Sequence, residues 1–348
     1  MYRKIMGFLE AWKENEHRKP LILQGARQVG KTYSILEFGR IHYENVAYFN
    51  FETNPKLNET FEEKISPDYL IPILSHIAGQ TIVKEKTLIV FDEVQLCERA
   101  LTSLKYFCED APDYHIIVAG SLLGVAVNRA KISFPVGKVD MKTLYPMDME
   151  EFMIAVGEDE LVEQIKKCFE TNRPMPSALH DAAMQLYRQY LVVGGMPECV
   201  MQFVQTGDYI LIRHTQDTIL TSYLNDMSKY NNLNEIKKTR LAYDNITVQL
   251  SKKNTRFQYK LIKKGGRASE FENAIEWLCL SGIVSQVYRV EQIKKPLENY
   301  RDIDAFKIYV SDLGLLCAKK DLAATDILYM VEELNLSLIH ISEPTRPY

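Results

Sequence analysis

The chain has 348 residues, of which 46% are apolar and 25% charged, with a net charge of −4; this is the composition of an ordinary globular protein with an ample core and room for two or three domains. No apolar run is long enough to span a bilayer, and the amino terminus carries charges where a secretory signal needs an apolar centre, so a cytoplasmic protein without a membrane partner is expected. The six cysteines lie far apart with no C-x-x-C pair, which argues against a zinc site and against a disulfide framework.

Residues 1–19 read as a short amphipathic helix with Trp12 as its packing anchor. Arg3 and Arg18 are close enough in sequence to the next motif to lie near a bound base, but solvated surface is the role expected of each. Leu21, Ile22 and Leu23 then form an apolar run suited to a strand covered on both faces. It leads directly into Gly25-Ala26-Arg27-Gln28-Val29-Gly30-Lys31-Thr32, which fits G-x-x-x-x-G-K-[ST] without a gap. Glycines there let successive N–H groups turn onto phosphate oxygens, and a helix opening near Lys31 adds the positive end of its dipole. The pattern points to nucleotide binding by all eight residues, with Lys31 reaching the terminal phosphates and the Thr32 hydroxyl on Mg²⁺.

A second strand is expected from Asn45 to Phe51, and helical patterning follows through Ile77. Residues 86–93 supply the next motif, four apolar residues ending in two carboxylates, Asp92 and Glu93. A strand of this kind leaves the core where a parallel sheet presents its carboxyl ends to ligand. Asp92 is the candidate to hold Mg²⁺ and Glu93 to polarise an attacking water, which favours hydrolysis over transfer to another acceptor. A further apolar strand, residues 114–119, ends at Gly120-Ser121. Ser121 is at the tip where additional-strand ATPases carry a polar contact to the γ-phosphate or the water; a serine after glycine is also an ordinary turn residue. His115, inside that strand, reads as a core histidine.

With these motifs in hand, residues 119–126 (AGSLLGVA), 133–152 (SFPVGKVDMKTLYPMDMEEF) and 190–200 (YLVVGGMPECV) complete a resemblance to a large prokaryotic family of AAA-type ATPases that carry an uncharacterised carboxyl-terminal region. The resemblance runs from about residue 1 to 335. It implies an α/β fold of the additional-strand P-loop class with a five-stranded parallel sheet over residues 1–152, a helical lid over 153–235 and a winged helix-turn-helix region over 236–320. Residues 321–335 would begin a last domain, of restriction-endonuclease type in complete members. Lys138 stands where some relatives have arginine. Lysine keeps the charge but lacks the planar fork suited to phosphate, which counts against an arginine-finger role there; Arg99 and Arg129 are the alternatives for that role, with a surface salt bridge the expected reading of each.

Beyond Phe152 the pattern turns helical, interrupted at Gly194-Gly195-Met196-Pro197 and resuming from Asp208 to Tyr230. Between Ile236 and Arg267, ten lysines and arginines stand against Asp244 alone, the footprint of a surface that meets a phosphate backbone or an acidic partner. A short helix at residues 257–262, a third helix from Ser269 to Leu280 and strands near 283–289 and 306–310 are expected next. Glu270, Glu272 and Glu276 on the third helix would be repelled by DNA, so it is not expected to read bases. Residues 336–346 (LSLIHISEPTR) resemble the translation of a sequencing-library adapter, and 336–348 are expected to be foreign to the fold. The reading of the whole is a Mg²⁺- and ATP-dependent hydrolysing switch coupled to nucleic acid or protein and compatible with a homo-oligomer. The alternative is a nucleotide-dependent assembly scaffold with little hydrolysis.

Overall fold

Short apolar runs between turns become the central strands of one all-parallel sheet in the computed structural model, which describes residues 1–121, 135–229, 233–252 and 256–329. The sheet's strands are β1 (Leu21–Gln24), β2 (Asn45–Asn50), β3 (Thr87–Asp92), β4 (His115–Gly120) and β5 (Asp140–Thr143), ordered β2-β3-β4-β1-β5. β3 and β4 are buried along their whole length, as near-continuous Val/Ile/Leu runs require when both faces are covered. The five-stranded parallel sheet of the additional-strand class is thus present. β5 carries no apolar run. It is an edge strand whose residues are only partly covered, and it is held by pairing with β1 from Leu21↔Asp140 to Gln24↔Thr143.

Around this sheet, the Met1–Tyr145 unit has α1 (Ile5–Glu14), α2 (Lys31–His42), α3 (Leu57–Glu63), α4 (Pro67–Ala78) and α5 (Glu98–Asp110). Phe51, Phe61 and Phe91 pack edge to face or tilted at 5.7–5.9 Å between centroids and anchor one side of the core. Trp12 of α1 is buried and donates its indole N–H to the Lys19 carbonyl at 2.9 Å.

His115 is a core histidine, 4% exposed, and its Nδ1 pairs with the Tyr43 hydroxyl at 2.7 Å. Burial, aided by the charges of Arg18 and Lys13, pushes its pKa down to about 4. The unfolded chain therefore takes up a proton between the ordinary value of about 6.5 and 4 that the folded chain refuses. Stability from this residue is complete above pH 6.5 and is lost as the pH falls to 4, by on the order of 1–3 kcal/mol. Replacing His115 by Asn, which keeps a polar group but cannot titrate, should flatten that part of a denaturation-versus-pH curve.

The second unit, Pro146–Tyr348, is mainly helical. It comprises α6 (Met149–Ala155), α7 (Asp159–Glu170), α8 (Ser177–Val193), α9 (Pro197–Thr206), α10 (Tyr209–Lys229), α11 (Leu233–Leu250) and α12 (Ala268–Leu280). An antiparallel hairpin of β6 (Val284–Val290) and β7 (Arg301–Val310) follows, then α13 (Leu313–Lys319) and α14 (Ala324–Leu328). α12 buries Phe271, Ile275 and Leu278 and leaves Glu272 and Glu276 exposed. The helix expected at 257–262 is instead one 3₁₀ turn, Tyr259–Leu261. Phe257 is drawn away from it, stacking on Phe306 at 5.6 Å and donating its N–H to the Phe306 carbonyl at 2.9 Å.

Gly194 and Gly195 end α8 and form a crossing point. The Gly195 carbonyl accepts the Met147 N–H at 2.7 Å, and its N–H donates to Asp312 Oδ2 at 2.6 Å. Asp312 caps α13 through its other oxygen, which accepts the Leu315 N–H at 2.8 Å, and Gln216 donates to the Val192 and Val193 carbonyls at 2.8 and 3.1 Å. The expectations for Arg129, for residues 336–348 and for the end of the 321–335 segment lie outside the described residues.

Candidate functional site

Register sets the site. Gln24 pairs with Gly120, and Phe91 and Leu23 lie level with Val118 and Ala119 on β4, so the residues just after β1, β3 and β4 emerge at one edge of the sheet. Those residues are Gly25, Glu93 and Ser121, with Asp92 the last residue of β3 itself. After β1 the chain wraps through Gly25 (φ +149°), Gln28 (φ +65°) and Gly30 (φ +90°) before α2 opens at Lys31. Backbone of this kind turns its N–H groups inward into a concavity suited to an anion. Ala26 and Val29 are buried beneath it. Gly25 lies directly on the Leu144 carbonyl, with no room for a side chain.

Lys31 lies in the bend, 7% exposed, with its ammonium donating to the Gly25 and Ala26 carbonyls at 2.9 and 2.8 Å. Burial lowers its pKa to about 8, while the carboxylates of Glu93 and Asp92 work in the opposite direction. Thr32 donates to Asp92 Oδ2 at 2.8 Å across a sequence separation of 60 residues. Asp92 is 4% exposed, and its Oδ1 accepts the Glu93 N–H at 2.9 Å. Glu93 has φ +52°, a left-handed conformation uncommon for a residue with a side chain and often found at functional sites. Its carboxylate accepts from the Gln95 amide. Ser121 is buried at the tip of β4.

The structure therefore brings together Lys31, Thr32, Asp92 and Glu93, with Ser121 on the same edge by register. Thr32 and Asp92 form an oxygen pair that could hold a divalent cation, and the loop from Gly25 to Gly30 could cradle phosphate. Three neighbours were not read as functional in the sequence. The Tyr48 hydroxyl donates to Asp92 Oδ2 at 2.7 Å and receives the Asn50 side-chain N–H at 3.1 Å. Burial, with the bond to Asp92, pushes the Tyr48 phenol up to about 12, so it stays a donor. The available signal was two polar residues at alternate positions in a strand whose last residue, Asn50, pairs with Asp92. The third is Arg3. It is 4% exposed rather than solvated, and it donates to the Val29 carbonyl at 3.0 Å and the Tyr145 carbonyl at 2.8 Å, bracing the loop from behind. Lys138 is a surface residue paired with Glu109 at 2.8 Å, and Arg99 donates to the Phe61 carbonyl at 2.5 Å.

Residues 17–153 match the family model described as an AAA domain. A Walker-type ATPase of Pyrococcus abyssi shares the fold with a TM-score of 0.56 at 14% identity, over 92% of this chain and 95% of that one. The amino-terminal unit has the fold of an AAA-type P-loop ATPase. Residues 184–326 match a model described as a domain of unknown function, DUF8612. Two looser likenesses are the ORC2 protein of Aeropyrum pernix and the Holliday junction branch migration motor RuvB of Thermotoga maritima. The first has a TM-score of 0.44 at 11% identity, over 97% of this chain and 95% of that one. The second has a TM-score of 0.35 at 15% identity, over 81% and 87%. No curated protein matches the chain. Among the described residues, no helix is long and apolar enough to cross a membrane.

Proposed function

We propose that this chain binds ATP with Mg²⁺ and hydrolyses it, and that the presence or loss of the γ-phosphate switches a region that meets nucleic acid or a protein target. The observation that carries the reading is the 2.8 Å bond between Thr32 and Asp92, which joins the start of the loop helix to the end of β3 with Glu93 next in line. Backbone N–H groups from Gly25 through Gly30, with Ala26, Arg27, Gln28 and Val29 between them, hold the phosphates. Lys31 exchanges its two carbonyl partners for phosphate oxygens. Thr32 and Asp92 would hold Mg²⁺, which would supply charge neutralisation when bound. Glu93 accepts a hydrogen bond from the attacking water and aligns it, and Ser121 contacts the γ-phosphate or that water.

In the same reading, residues 153–235 act as a lid and 236–320 as a winged-helix-like domain. Helix, turn, helix and hairpin in that order over α11, Tyr259–Leu261, α12 and β6–β7 support the second assignment. Lys237, Arg240, Lys252, Arg256, Lys260, Lys263, Lys264 and Arg267 are exposed, which favours contact with a phosphate backbone. Base reading by α12 is disfavoured by its exposed glutamates.

Steady-state hydrolysis with Mg²⁺, with and without duplex DNA across a salt series, tests this. Turnover stimulated by DNA at low salt, with the stimulation fading as salt rises, is the expected result. Turnover indifferent to DNA would move the target to a protein, and ATP bound without turnover would favour the assembly scaffold.

A further inference from the structure

Asp92 is surrounded by more donors than a two-residue cation pair needs. On Oδ2 it accepts from Thr32 at 2.8 Å and from Tyr48 at 2.7 Å, which fill both lone pairs of that oxygen; on Oδ1 it accepts the Glu93 N–H at 2.9 Å. One acceptor position, on Oδ1, is left for a cation-bound water. The plane of the carboxylate decides where that position points. Thr32 and Glu93 are both part of the site and act on Asp92 from α2 and from its own backbone. Tyr48 comes from β2 and is itself oriented, because the Asn50 side-chain N–H donates to its oxygen at 3.1 Å and leaves its proton to Asp92. Asn50 is held in turn, its Oδ1 accepting the N–H groups of Glu52 and Thr53 at 2.9 Å each. The donor chain is therefore Asn50 to Tyr48 to Asp92, anchored in a turn.

We propose that Tyr48 is a positioning residue for the cation at this site: its hydroxyl fixes the Asp92 carboxylate so that the remaining lone pair of Oδ1 faces the cation's water. The inference rests on the assignment of Thr32 and Asp92 to Mg²⁺. Removing a partner that orients a carboxylate near a metal commonly lowers metal affinity by about 10–100-fold. Tyr48 is 38% exposed and its ring does not fill the core, so Tyr48→Phe should fold.

The experiment is binding of a fluorescent ADP analogue to the full chain, titrated with Mg²⁺ and repeated in EDTA. Tyr48→Phe is expected to raise the half-maximal Mg²⁺ concentration about tenfold and to leave the affinity in EDTA unchanged. An unaltered Mg²⁺ requirement overturns the proposal. A loss of affinity equal in EDTA and in Mg²⁺ also overturns it, because Tyr48 would then merely support the loop. If the unmutated chain binds the nucleotide with no response to Mg²⁺, the assignment of Thr32 and Asp92 fails first, and the role of Tyr48 fails with it.

Discussion

Lys31→Met and Glu93→Gln are each expected to cut Mg²⁺-dependent ATP turnover at least a hundredfold, and to do so in distinguishable ways. A transition-state contact at a preorganised, partly dehydrated site contributes about 3 kcal/mol or more to lowering the barrier, which is the hundredfold. Lys31 is a buried cation directed at the loop's own carbonyls, so its loss should weaken nucleotide binding as well as turnover. Among the described residues, Glu93 makes no hydrogen bond to the loop. It accepts from Gln95, and its backbone donates to Asp92, so Glu93→Gln should keep the nucleotide and lose only the chemistry. Stability separates the variants from trivial unfolding. Burial depresses the Lys31 pKa to about 8, which means that the ammonium is held against a desolvation cost. An apolar methionine of similar length removes that cost, so the unfolding midpoint of Lys31→Met should not fall. Equal turnover in both variants and the unmutated chain would remove the hydrolytic reading altogether.

The parts of this site that are legible in the sequence are those encoded locally. Gly25 to Thr32 and Asp92-Glu93 each declare themselves within a few residues, because phosphate geometry demands glycine at fixed spacing and a buried strand must end in its ligands. The strands β1, β3 and β4 follow from apolar runs alone. β5 does not, because an edge strand with exposed Met141 and Lys142 has no periodicity to read, and only the resemblance implied a fifth strand. Tyr48 and Asn50 were hidden for a related reason: their meaning depends on β2 lying beside β3 in a register that opposes Asn50 to Asp92. Arg3 is the opposite failure. An arginine near an amino terminus is usually solvated, and nothing local announces that two carbonyls, at Val29 and Tyr145, will converge on it. Asp312 and Gly195 belong with Arg3, joined by a hydrogen bond across a separation of 117 residues.

That last pair carries the second large effect, on stability. Asp312 is 4% exposed and holds two buried N–H groups, those of Gly195 and Leu315. Asp312→Ala removes a helix cap, commonly about 0.5–2 kcal/mol, and strands a buried donor at a cost of about 1–3 kcal/mol. The expected loss is roughly 2–4 kcal/mol in the second unit. Gly195→Ala should cost at least as much by a different route, since a Cβ there would penetrate the Met147 backbone carbonyl, and backbone cannot step aside as a side chain can. The two tryptophans allow the damage to be localised. Trp277 lies buried on α12 and Trp12 on α1, so a Trp12→Phe background reports unfolding of the second unit by fluorescence, and Trp277→Phe reports the first. Both substitutions should lower the denaturant midpoint seen by Trp277. Because they break the same junction, the double variant should lose clearly less than the sum of the two, by more than the ~0.5 kcal/mol scatter of independent sites. Full additivity would mean that Gly195 is needed for Met147 alone and that Asp312 serves only as the cap of α13.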